Sequence, residues 1–171
     1  MKNAKIIALS AVTTAFAVIF LVVGSYFPTL SLSGAFMASL TMMIPLSKKS
    51  YKGALLCFLA TSILSMLVSG FRWDAVFPFM AFTGLHPIAN YFIKERNLNR
   101  ILFTVLKDIW FVGALVLTQL ITKLYVGENE FLNKYIYPVL IIGGAIVFPL
   151  YDFLMMGFQR SIVAIINRLK L

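Results

Sequence analysis

Long apolar runs alternate with short polar breaks along this chain, and each run approaches the length a helix needs to cross a bilayer. About 20 apolar residues span a hydrocarbon core of roughly 30 Å. Residues 6–27 meet that length and stop at Pro28. Residues 30–46 form a shorter run, closed by Pro45 and the basic group Lys48, Lys49 and Lys52. Residues 53–70 and 75–93 follow, separated by the polar turn Arg72-Trp73-Asp74. The fifth run, 101–124, carries Lys107 and Asp108, and the sixth, 135–158, carries Asp152 near its end. A tail over 159–171 interleaves apolar and basic residues. The pattern predicts an all-α fold, an integral membrane bundle of about six transmembrane helices forming a single domain over residues 1–171.

Small residues and prolines refine that picture. The second run holds Gly34-x-x-x-Ala38 and Ala35-x-x-x-Ser39, which let helix backbones approach closely, so it is expected to be buried and tilted. Pro78 and Pro87 each remove a backbone donor from the fourth run and break it at two places. On the first helix, Ala4, Ala8, Ala11 and Ala15 form a flat stripe of residues four apart. That stripe either packs inside the bundle or docks a partner's helix.

Composition supports a membrane protein over a soluble one. The chain is 61% hydrophobic and only 12% charged, with a mean hydropathy of +0.93. A soluble domain of this size carries about twice that share of charge. The net charge of +9 does not mark a nucleic-acid partner, because Lys and Arg sit in short clusters between apolar runs. Lys2 and Lys5 precede a run too long for a signal peptide, so it reads as a retained first span. With the N-terminus inside, Lys48, Lys49, Lys52, Lys94, Arg96, Arg100, Arg160, Arg168 and Lys170 all fall inside. Only Arg72 and Lys134 fall outside, with Lys123 near the boundary, so the expected orientation is N-in, C-in. Cys57, the single cysteine, reads as a small buried or lipid-facing residue.

Candidate chemistry is sparse. One histidine, His86, and no cysteine pair exclude a conventional metal site, and no phosphate-cradling glycine loop or nucleophile turn is present. The chain is therefore expected to be no enzyme, with no catalytic residue and no cofactor. His86 is read as a buried structural residue bonded to a carbonyl. Buried charges are costly in lipid and so are informative. Lys107 lies seven residues beyond Arg100 and Asp152 eight before Arg160, which puts both roughly 10–12 Å from the inner boundary. Matched depth predicts a Lys107–Asp152 ion pair between the fifth and sixth helices, with Asp108 a rival for either role. At the outer face, the 71–74 turn and the 125–137 loop gather aromatic and polar residues. They form either an interfacial belt or the mouth of a small-molecule site.

Six short spans, the step Ala11-Val12-Thr13-Thr14-Ala15, and Lys-rich 47–52 leading into Gly53-Ala54-Leu55-Leu56 resemble the S-components of energy-coupling-factor (ECF) vitamin transporters. The resemblance implies a substrate-binding subunit in a bacterial cell membrane, multi-pass, that takes up a vitamin or similar small nutrient. It implies as partners a transmembrane coupling subunit and two ATPase subunits, with Ala11 and Ala15 as the docking positions. By position it implies a ligand site drawn from Arg72, Trp73, Phe77, Gln119, Tyr125, Asn133 and Tyr137. No signature for riboflavin, thiamine, biotin or folate accompanies it. The alternative is a scaffold like the rod-shape-determining membrane proteins, which bind no small ligand. A closed polar-aromatic cavity in the outer half separates the two, since a scaffold should be packed there.

Overall fold

The computed structural model describes residues 2–123 and 130–168, which are all-helical with no strand among them. Helix α1 spans Lys2–Tyr26, α2 Ser31–Thr41, α3 Met43–Ser47 and α4 Tyr51–Val68. Then come α5 (Trp73–Pro78), a π-helical turn (Phe79–Thr83), α6 (His86–Glu95) and α7 (Arg100–Thr122). A short α8 (Glu130–Lys134) leads into α9 (Ile136–Arg168). Among the described residues, four helices are long and apolar enough to cross a membrane, namely Ile6–Tyr26, Tyr51–Val68, Arg100–Thr122 and Ile136–Ile166. Large apolar side chains stand exposed around the bundle, with Ile101 79% and Ile146 71% accessible. Apolar surface on that scale needs a covering medium.

The other two apolar runs fall short of that length because proline interrupts them. Pro45 has no N–H for the Thr41 carbonyl, and the helix resets at Met42 between α2 and α3. Pro78 ends α5, and the chain then widens so that the Gly84 amide bonds the Phe79 carbonyl, five residues back, at 2.9 Å. The Trp110 indole donates to the Ala81 carbonyl inside that turn at 3.0 Å, satisfying a group the irregular backbone exposes. Pro87 then starts α6 within its first turn, where a missing donor costs little.

Helix ends follow from local residues. The Ser50 hydroxyl accepts from the Gly53 amide at the start of α4, and the Asn99 carboxamide accepts from Ile101 and Leu102 at the start of α7. The sixth run does not end near residue 158 as its hydropathy suggests. Residues 159–168 contain neither Gly nor Pro, and α9 continues through them for 33 residues, about 50 Å.

Helix α1 packs on α2 and α4, and α7 packs on α9. Ala17, Leu21, Ala35, Ala38, Met42 and Phe58 form the main apolar core. A Cβ on Gly34 would stand 2.6 Å from the Phe20 carbonyl oxygen and 3.2 Å from the Gly24 Cα, so α1 and α2 touch backbone to backbone. As expected for a tilted, buried second helix, Gly34, Ala35, Ala38 and Ser39 face inward. A second core of Phe82, Ala114 and Phe148, with Trp110, Phe111 and Tyr151 against it, joins the broken fourth run to α7 and α9.

Candidate functional site

Four polar side chains from three helices meet beside that second core. Lys107 on α7 donates to Asp152 Oδ1 on α9 at 2.6 Å and to Asn90 Oδ1 on α6 at 2.6 Å. Asn90 Nδ2 donates to the same Asp152 oxygen at 3.1 Å, and His86 Nε2 lies 3.0 Å from it. All four residues are buried, with His86 fully inaccessible. A carboxylate oxygen only accepts, so the imidazole donates from Nε2, and in the neutral ring Nδ1 is left as an acceptor. Nδ1 is buried and has no hydrogen-bond partner among the described residues. The two formal charges cancel, and each is hydrogen-bonded. That is the condition under which a buried pair is tolerated.

Aromatic rings close the cluster on one side. Phe82 and Tyr151 each stack near the His86 ring, with centroids 5.0 Å away, and Phe111 lies nearly parallel to Tyr151 at 5.9 Å. Beyond this layer lies a cavity of about 530 Å³ that is open on one side, where Leu32 and Met37 on its rim are exposed. Its apolar walls come from Leu32 and Phe36 on α2, Pro78 and Phe82 on the broken run, and Phe111 on α7. Ser33, Thr83, Thr118 and Tyr151 line it too, but the Thr118 hydroxyl donates to the Ala114 carbonyl and the Tyr151 hydroxyl is buried, so its surface is almost wholly apolar where a polar-aromatic one was expected. Along α7, Ala114 and Thr118 lie roughly 20–27 Å from Arg100, so the cavity occupies the half of the bundle away from the basic clusters.

No protein-family model, curated protein or solved structure matches the chain. What the site can do therefore follows from its own groups. The cavity volume falls in the usual range for small-molecule sites, roughly 300–1,000 Å³. Its walls carry no Lys, Arg, Asp, Glu or His, so they suit an uncharged ligand with a large apolar face. Among the described residues no group of His, Cys, Asp and Glu could hold a metal ion.

The residues singled out by sequence are distributed differently. Lys107 and Asp152 are brought together, while Asp108 stays outside their network, half-buried on α7 with its Oδ1 unpartnered among the described residues. His86 bonds a carboxylate, not the carbonyl expected of it. Arg72, Trp73, Phe77, Gln119, Asn133 and Tyr137 do not line the cavity. Arg72 donates to the Ser25 carbonyl at 2.7 Å and covers the Tyr26 ring, tying the 69–72 turn to the end of α1. Trp73, Asn133 and Tyr137 are exposed, Phe77 is half-buried, and Gln119 is buried beside the cavity wall. Tyr125 lies outside the described residues. Ala11 and Ala15 are exposed, as are Ala4 and Ala8, while Thr13, Ala17, Leu21 and Gly24 on the other face of α1 are buried.

Three participants were not anticipated, although two left a trace. Asn90 stands four residues after His86, the spacing that puts two side chains on one helix face. Phe82 stands four residues before His86, and the same spacing carries the stripe through the π-helical turn. Tyr151 had no such signal, because its role depends on which way α9 is rotated.

Proposed function

We propose that this chain is a multi-pass protein of a bacterial cell membrane that binds a small nutrient for an ECF-type importer. In this reading six segments cross the bilayer with N-in, C-in orientation, the prolines of the second and fourth leaving them short or broken. The observation that carries it is the 530 Å³ cavity in the half away from the basic clusters, where a scaffold would be packed. The walls recommend an uncharged ligand with an aromatic or other flat apolar face, held between Phe36, Phe82, Phe111 and Tyr151. The polar edge expected from Arg72, Gln119 and Asn133 has no part in this version of the site.

The chain carries no nucleotide-binding loop, so energy for inward release comes from a transmembrane coupling subunit and its two ATPase subunits. The outward exposure of Ala11 and Ala15 supports a docking face, since neither residue is used in packing the bundle itself. Binding of a panel of B-group vitamins and their uncharged precursors to the purified protein tests the proposal. Ala114→Leu pushes three extra carbons into the cavity wall and should weaken a bound ligand at least tenfold while the bundle still melts cooperatively. A panel with no binder, or a binder indifferent to Ala114→Leu, defeats the cavity as the site.

A further inference from the structure

At the opposite end of the bundle a second recess, of about 240 Å³, opens between α6, α7 and α9. Its rim carries Lys94 at the end of α6, Arg100 at the start of α7 and Arg160 on α9. Its floor is formed by Asn90, Gln159 and the buried Lys107–Asp152 pair. We propose that this recess binds a phosphate-bearing anion, and that its natural occupant is the headgroup of an anionic phospholipid.

Charge balance supports the proposal. The ion pairs among the described residues are those of Asp152 with Lys107 and His86, so none of the three rim cations has an acidic partner there. The one carboxylate in the recess, Asp152, is buried and takes three donors on a single oxygen. Glu95, beside Lys94, lines an adjoining recess of about 720 Å³ that shares Lys94, Gln159 and Arg160 with this one, and it is engaged by the Tyr51 hydroxyl. The positive-inside tendency explains why cations gather at this end, but not why three elements aim theirs at one recess. Two of the three are arginines, whose forked guanidinium matches phosphate oxygens two at a time. At roughly 30 Å³ per water, the recess holds about eight waters, enough for a phosphate group and its first hydration. Basic pockets between membrane helices on the cytoplasmic side are recurrent sites for anionic lipid headgroups, whose acyl chains remain outside in the bilayer.

The test is thermal melting of the detergent-purified full chain, titrated separately with phosphatidylglycerol, phosphatidylcholine and inorganic phosphate. A ligand that binds only the folded state raises the midpoint in proportion to the logarithm of its concentration over Kd. Phosphatidylglycerol should raise it and phosphatidylcholine should not. The R100Q/R160Q variant should need about tenfold to thirtyfold more phosphatidylglycerol for the same shift, from about 1 kcal/mol per basic residue. Both positions are exposed, so the variant should fold, which its unliganded midpoint checks. K48Q/K52Q removes the same charge away from the recess and should leave the titration unchanged. A shift by inorganic phosphate that depends on Arg100 and Arg160 supports the anion site but assigns it a soluble occupant. Equal losses in the two double variants, or no shift with any anion, overturn the proposal.

Discussion

Two helix interfaces in this protein are held by opposite means. Where α1 meets α2 and α4, α1 and α2 approach until backbones touch at Gly24 and Gly34, and the buried hydroxyls either bond within their own helices or, at Ser10, Ser31, Thr61 and Ser65, have no partner among the described residues. Thr13 donates to the Leu9 carbonyl, Ser39 to Phe36 and Ser62 to Phe58, all between 2.7 and 2.9 Å. Among the described residues, the side-chain bond that crosses between these helices comes from Cys57, a weak donor, to the Ser10 carbonyl at 3.2 Å. Where α6 meets α7 and α9, the bonds of the His86–Asn90–Lys107–Asp152 cluster cross from helix to helix. The first interface depends on van der Waals contact, which any bulky residue spoils. The second depends on mutual satisfaction of polar groups, which any deletion spoils. The difference also places the functional features. The cavity and the basic recess flank the polar interface, and neither lies between α1 and α2 or between α1 and α4.

The largest effect should come from breaking the polar interface. Asp152→Ala leaves Lys107 as a buried cation and removes the acceptor for His86 and Asn90, so it should cost about 3–5 kcal/mol. Chemical unfolding of the purified protein measures this, and a cost under about 1 kcal/mol would mean that water replaces the carboxylate. Adding Lys107→Met to Asp152→Ala should recover part of the loss, because the buried charge is gone. Recovery will be incomplete, since His86 Nε2 and the Asn90 amide keep no acceptor.

A smaller effect is expected at the close-packed interface. Gly34→Ala places a methyl 2.6 Å from the Phe20 carbonyl oxygen, a separation that forces α1 and α2 apart. Overpacking of this kind costs about 1–3 kcal/mol, read by the same unfolding measurement. No second substitution on a polar partner should rescue it, in contrast to the charged cluster. A neutral Gly34→Ala would show that the crossing has slack and that the two interfaces are less different than their geometry implies.

The parts of this architecture that were legible in the sequence are those that depend on distance along one helix. Apolar run lengths marked four helices long enough to span among the six expected, Pro78 and Pro87 marked the breaks of the fourth run, and counting from Arg100 and Arg160 put Lys107 and Asp152 at one depth. What depends on rotation about helix axes was not legible. Depth alone does not say whether Asp108 or Lys107 turns inward, nor that His86 reaches a carboxylate across 66 residues of chain. The cavity is harder still, because it is the space left by a short α2, a π-helical turn and two rotated helices, and no residue type marks it. Aromatic and polar residues near the 71–74 turn carry a visible compositional signal, yet the cavity walls are ordinary Leu, Phe, Ser and Thr.

The smallest effect on stability, with the largest on assembly, is expected on the outer face of α1. Ala15 and Ala17 are two residues apart and chemically identical, but Ala15 is exposed and Ala17 is fully buried against the core. Ala17→Trp should therefore be severely destabilising, by the overpacking argument that applies at Gly34. Ala15→Trp meets no neighbour within the bundle and should change unfolding free energy by less than about 0.5 kcal/mol. If the alanine stripe is the docking face for a coupling subunit, a bulky ring at its centre holds the two helices apart and the complex is lost. Co-purification of the ATPase subunits with an affinity-tagged chain reads that outcome directly, with ligand binding by the isolated protein as the internal control. Retained association with Ala15→Trp, and also with Ala11→Trp, would leave the exposed stripe as lipid-facing surface. Loss of ligand binding together with association would instead mean that α1 contributes to the bundle's own packing through its outer face. The two faces of one helix thus carry the comparison at its finest scale, since the same change differs in consequence only by which surface it meets.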